Sequence, residues 1–181
     1  MIKTLSILNS IKLQNPITEI MINSFEENKI TKVYFEELLN FKNLKTLYIE
    51  NTIIDSKAIN IIKNLNLENL YIINCEIINN LGEISNLNNL VFDSTNLNLI
   101  NEIKVNNLTL KNVYIPNIKI IANKIDLSKA NFNTIDNIIV NQLSISDAQY
   151  EENENLFNNL NYKVLVKKSN EIIRKVGKEN G

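Results

Sequence analysis

A single thiol, Cys75, sits in a chain of 181 residues that contains no histidine. A catalytic cysteine needs a base to take its proton, and a thiolate metal site needs several ligands, so a lone thiol without an imidazole favours neither chemistry. The absence of histidine also removes the commonest general base and most triad arrangements. Glu36 and Glu50 remain as a carboxylate pair, but no Gly-rich phosphate loop or pocket-forming insertion accompanies them. No catalytic residue, metal ligand or cofactor is therefore expected, and the chemistry that is left is recognition. Tyr34, Tyr48 and Tyr71 recur at matched positions beside Glu36, Glu50, Ile73, Val91 and Asp93. Tyrosine with flanking carboxylates suits an interface with a basic partner protein. It also suits a β-strand whose neighbouring rings shield one another, which needs no partner.

The elements that must position these residues are written as a repeated line. Leu67, Leu70, Ile72, Cys75 and Ile77 place apolar or small residues at offsets of three, five, eight and ten, and Leu87, Leu90, Phe92, Thr95 and Leu97 do so again. Leu44, Leu47, Ile49, Thr52 and Ile54 precede them, and three further lines start at Val105, Ala122 and Val140. Counted between second apolar positions, the step is 23 residues from Leu47 to Leu70 and 20 to Leu90, then 18, 17 and 18 to Leu108, Ile125 and Leu143. The longest step holds Asp55 to Leu65, where Ala58, Ile59, Ile62 and Leu65 share a helical face and Asp55 or Ser56 can cap. The next return contains Gly82 and reads as a single turn, and the shortest ones leave room only for extended segments.

Before Leu44 the pattern is compressed. Ile2, Leu5 and Ile7, then Ile17, Ile20 and Ile22, then Ile30, Val33 and Phe35 give steps of 15, 13 and 14 from Leu5 to Leu47, too short for a strand and a return. Residues 1–43 therefore read as an irregular N-terminal cap, 44–150 as repeats and 151–181 as a C-terminal cap, all in one domain. In the last segment a short helix is expected over Asn155 to Asn161 and a strand over Tyr162 to Val166. A frayed tail follows, with six basic residues from Lys163 onward against Glu171 and Glu179.

The offsets L-x-x-L-x-L-x-x-(N/C/T)-x-L resemble those of leucine-rich repeats, and LENLYIINCEIINNLGEISNLNNL resembles the bacterial, internalin-like subclass. The resemblance implies a β-rich α/β solenoid with a parallel sheet on its concave side and short helices or extended segments on its convex side. A right-handed parallel β-solenoid is the alternative, above all for residues 105–150. On either, the outward column between the first two strand apolar residues reads Met21, Tyr34, Tyr48, Tyr71, Val91, Thr109, Asp126, Ser144, and the next reads Asn23, Glu36, Glu50, Ile73, Asp93, Lys111, Ser128, Ser146. Position eight, held by Thr52, Cys75, Thr95, Val113, Ala130 and Ala148, should turn inward, which makes Cys75 structural.

Composition bounds the rest. A formal charge of -1 gives no field to attract nucleic acid or an anionic membrane. No apolar run approaches a bilayer span, the start lacks a cleavage pattern, and one cysteine cannot form an internal disulfide, so a cytoplasmic setting is expected. About one residue in five is asparagine, which reads as a background of base composition rather than as amide ladders. The functions that remain are a non-catalytic protein-binding module acting as inhibitor, immunity protein or adaptor, a self-assembling solenoid, and, least favoured, nucleic-acid binding through the basic C-terminal segment.

Overall fold

Strands form here because apolar and polar residues alternate, so one edge of each short segment is driven inward and the other stays wet. The computed structural model describes residues 16–24, 31–32, 35–132, 135, 137–158, 160, 162–168 and 174–176. These give β1 (Glu19–Asn23), β2 (Thr31–Lys32), a 3-10 helix (Phe35–Asn40), β3 (Thr46–Glu50), β4 (Thr52–Ile54) and α1 (Ser56–Asn64). Next come β5 (Asn69–Ile73), β6 (Glu76–Ile77), β7 (Gly82–Ser85), β8 (Asn89–Asp93), β9 (Ile100–Tyr114) and β10 (Lys119–Asn131). β11 (Ile138–Ser146), α2 (Asp147–Asn158), β12 (Val164–Lys168) and β13 (Arg174–Val176) complete the chain.

Among the described residues ten strands form one sheet, ordered β1-β3-β5-β8-β9-β10-β11-β12-β13, with β7 paired to β9 off that path. Every pairing is parallel except that of β12 with β13. A second, smaller parallel sheet runs β2-β4-β6. The architecture is thus mostly parallel strand with few helices. Its core is a set of columns: Ile20, Leu47, Leu70, Leu90, Leu108, Ile125, Leu143 and Leu165 are register partners in turn and all are buried.

The backbone enters the left-handed region just after β3, β5 and β8, at Asn51 (φ 52), Asn74 (φ 48) and Ser94 (φ 50), and within β9 at Asn112 (φ 50). Asparagine tolerates this conformation better than other side-chain-bearing residues. The chain then turns inward through buried Thr52, Cys75, Thr95 and Val113, as the repeat pattern requires. Ala148 departs from the series, being exposed on α2.

The return segments differ from one another. α1 forms where expected, with the Asp55 carboxylate accepting from the Ala58 N–H at 2.8 Å and Ala58, Ile59, Ile61 and Ile62 buried. The following return is strand β7, opening at Gly82 (φ 64), and not a single turn. After it the returns merge with the strands into β9 and β10, 15 and 13 residues long, in line with the extended segments that the short steps imply.

Two boundary regions depart from the sequence reading. β1 pairs directly with β3, Ile20 opposite Leu47, so a step of 27 residues replaces the two steps through Val33. Phe35 belongs to the 3-10 helix, where it and Leu38 are buried; Leu5, Val33 and Tyr34 lie outside the described residues. At the other end α2 starts at Asp147, well before the expected Asn155, and kinks at Asn153 (φ -133, ψ 29). Its Phe157 packs edge-on to Phe132 at 5.7 Å and alongside Tyr150 at 6.2 Å, closing the core. The Gln149 amide donates to the carbonyls of Leu127 and Ala130, both at 2.8 Å. Arg174–Val176 pairs antiparallel with β12 in place of the frayed end expected there.

The left-handed column gives a two-signed test of stability. Ser94→Asn is expected to stabilise by about 0.5–1 kcal/mol, and Asn74→Ala to destabilise by about 1–2 kcal/mol, because alanine is strained at positive φ and loses the amide bond to Asn51. Urea unfolding midpoints that move in opposite directions are the expected result.

Candidate functional site

The outward face of β1, β3, β5 and β8 is built by register. Glu19, Thr46, Asn69, Asn89 and Asn107 are partners in one column; Met21, Tyr48, Tyr71, Val91 and Thr109 in the next; Asn23, Glu50, Ile73, Asp93 and Lys111 in the third. The middle column continues to Asp126 and Ser144, as the repeat pattern predicts. Parallel pairing sets neighbouring side chains at about the strand spacing of 4.8 Å. At that spacing Tyr48 and Tyr71 stack, with ring centroids 4.3 Å apart and planes 12° from parallel. An aromatic pair of this kind contributes about 0.5–1.5 kcal/mol beyond its burial. The stacked pair sits between Met21 and Val91 of the same column.

The rows beside the tyrosines are tied by asparagine ladders. Asn69 donates to the Thr46 hydroxyl at 3.0 Å, Asn89 to the Asn69 carbonyl oxygen at 2.6 Å and Asn107 to that of Asn89 at 2.9 Å. On the opposite flank Asn74 donates to Asn51 at 2.6 Å and Asn51 to Asn23 at 3.1 Å, while Asn23 donates to the Glu50 carboxylate at 3.2 Å. Asn112 and Ser94 both donate to the Asp93 carboxylate at 2.9 Å. A primary amide offers donor and acceptor at once, so it can bond to a copy of itself one strand away. These ladders overturn the reading of asparagine as mere background, and their signal lay in the sequence: the ladder residues fall at fixed offsets within the repeated line.

Of the residues singled out from the sequence, Tyr48, Glu50, Tyr71, Ile73, Val91 and Asp93 share this face, all half-buried. Tyr34 lies outside the described residues, and Met21, 62% exposed, is the partner of Tyr48 on β1. Glu36 stands apart from Glu50, in the 3-10 helix, where it forms an ion pair with Lys57 of α1. Hydrogen bonding from Lys57 holds the Glu36 carboxyl below its ordinary range. The two carboxylates are therefore not a pair. Ser128 also leaves its column, since its N–H and hydroxyl both turn onto Asp126 and a register shift brings Lys129 opposite Lys111.

Charge divides the face. The outward residues of β1, β3, β5 and β8 include the carboxylates of Glu19, Glu50 and Asp93 and no lysine or arginine. Partial burial, and then the Glu19 carboxylate and Tyr71, raise the Tyr48 phenol above its ordinary value. Within the three columns the first lysine is Lys111, on β9. Among the described residues no group of three or more His, Cys, Asp or Glu is placed to hold a metal ion, and no helix is long and apolar enough to cross a membrane. Comparison with protein-family models, with curated proteins and with solved structures gives no match.

Cys75 is buried with its Sγ 3.4 Å from the Ile49 carbonyl oxygen and 3.3 Å from that of Ile73, and its N–H donates to the Thr95 hydroxyl. Burial pushes the thiol up to about 11, so at pH 8 only about one molecule in a thousand carries a thiolate. Alkylation of native protein at pH 8 should run at least a hundredfold or so slower than in urea. Since the folded value lies above the ordinary one of 9.0, the thiol's contribution to stability is intact below pH 9 and is lost as pH rises towards 11. Cys75→Ala should flatten that part of the alkaline unfolding curve.

Proposed function

We propose that the chain is a non-catalytic protein-binding module that holds a basic partner surface against the outward face of β1, β3, β5 and β8. The observation that carries this reading is the Tyr48–Tyr71 stack, flanked by Met21, Val91 and Ile73 and rimmed by Glu19, Glu50 and Asp93. Tyrosine concentrates binding energy at interface centres because it combines large contact area with a hydroxyl and few rotatable bonds. Carboxylates at the rim speed encounter with a cationic surface and reject an anionic one. The same reading takes the architecture as a leucine-rich-repeat-like parallel solenoid, supported by the in-register columns from β1 to β11 and by the recurring left-handed asparagines. It takes the role as that of a cytoplasmic inhibitor, immunity protein or adaptor.

The test is affinity capture from the native cell, with each recovered protein then titrated as a purified component against two double variants. Tyr48→Ala with Tyr71→Ala should lose the partner and also lower the melting temperature by a few degrees, because the rings support each other. Glu50→Lys with Asp93→Lys should weaken binding by roughly tenfold or more at low salt, and by much less at high salt. A partner retained at full affinity by both variants would show that binding happens elsewhere.

A further inference from the structure

A different surface arises where the return segments change from helix to strand. β7 hydrogen-bonds to β9 and, among the described strands, to no other; beyond β9 lie β10 and β11 in parallel pairing. The free edge of β7 faces α1, since the Lys63 ammonium of α1 reaches across to donate to the Leu81 carbonyl at 2.9 Å. A helix is about 10 Å across, whereas paired strands are about 4.8 Å apart, so the two cannot nest at strand spacing and a step opens between them. That step is a cleft of about 480 Å³. Ile59 and Ile62 line it from α1, Leu67 and Leu70 from the approach to β5 and from β5 itself, and Ile84 from β7.

We propose that this cleft binds an extended peptide segment of a partner protein, which joins β7 as an added strand and lays apolar side chains against the half-buried Leu65 and Leu87 that line it. Unpaired backbone N–H and C=O groups on a strand edge are complementary to another strand and to little else, and an adjacent apolar wall supplies side-chain selectivity. Charge sets the direction. Lys63 is the one cation lining the cleft, it stands beside the start of β7, and its bond to Leu81 leaves two N–H groups for an anion. A peptide running antiparallel to β7 brings its C-terminal carboxylate to that end. Glu83, exposed on the same rim, disfavours a second acidic residue next to it.

The probes are fluorescein-labelled hexapeptides alternating threonine with valine, leucine or phenylalanine, each made as the free acid and as the C-terminal amide. They are titrated into the full chain by anisotropy and located by amide NMR. Saturable binding of at least one free acid is expected, with shifts centred on residues 82–86. Affinity should fall by at least about tenfold on amidation or with Lys63→Gln, and should vanish when the peptide amides that face β7 are N-methylated. N-methylation alters only the ligand, so its effect does not depend on how a protein variant folds. Binding unchanged in Tyr48→Ala with Tyr71→Ala separates this site from the tyrosine face. No saturation by any peptide, indifference to N-methylation, indifference to both amidation and Lys63→Gln, or shifts centred on the tyrosine face would overturn the proposal.

Discussion

Parallel strands held in register force each side chain to lie beside the residue at the same position of the next strand, and most of this molecule follows from that constraint. Apolar positions benefit directly, since Leu47 over Leu70 over Leu90 makes one continuous buried column. Polar positions are harder, because like charges a strand apart repel and a lone donor meets another donor. Asparagine escapes the difficulty by being both donor and acceptor. The row that begins with the Lys45–Glu68 ion pair at 3.1 Å continues as Asn88 bonded to Asn106, and further on as Asn123 bonded to Asn141. Opposite charges are used where the row permits it, as in Glu102 with Lys119 at 2.9 Å. The abundance of asparagine is thus in part a solution to stacking.

The same spacing governs the other side of the stack. A strand return fits the layer height and a helix does not, so α1 can occupy only a return next to which the layers are free to spread. Its neighbours bear this out: the 3-10 helix lies on one side, where Glu36 meets Lys57, and the cleft beside β7 opens on the other. From β7 to β11 every described return is strand, and β9 and β10 run through their bends without a break. Between β11 and β12 a helix returns, and it must cover the core that the strand returns leave open. α2 does so with Phe157 for the core and Gln149 for the backbone carbonyls.

Much of this was legible from residue types because burial and register share one code. The lines from Leu44 to Leu97, the Asp55-capped helix and the column from Tyr48 to Asp126 each follow from spacing and capping chemistry, while Ser144 continues that column in register but is buried. Glu36 misled because an offset of three is common to this line and to a helical turn: Phe35 and Leu38 obey it inside the 3-10 helix. Gly82 misled because positive φ is needed to enter a strand from a corner as well as to close a turn. Ser128 left its column through hydrogen bonds to Asp126, which no apolar pattern encodes. The ladders were hidden by abundance: when one residue in five is asparagine, those at fixed offsets do not stand out by type alone.

Rigidity links the ladders to the proposed binding face. Side chains that must be ordered on association each cost about 0.5–1.5 kcal/mol, and a residue already fixed in the free protein avoids most of that loss. Tyr48 and Tyr71 are fixed by each other and are half-buried between two amide-bonded rows, one through Asn69, Asn89 and Asn107 and one through Asn23, Asn51 and Asn74. Glu50 is held by Asn23, and Asp93 by Asn112 and Ser94, so the acidic rim is as preorganised as the aromatic centre. With one face of each ring occupied by the other, a partner meets the remaining surface of a half-buried pair beside positioned carboxylates. Recognition on such a surface rests on donors placed to match those oxygens rather than on a flat group sliding over an open ring, which makes a lysine or arginine contact at the rim the natural complement.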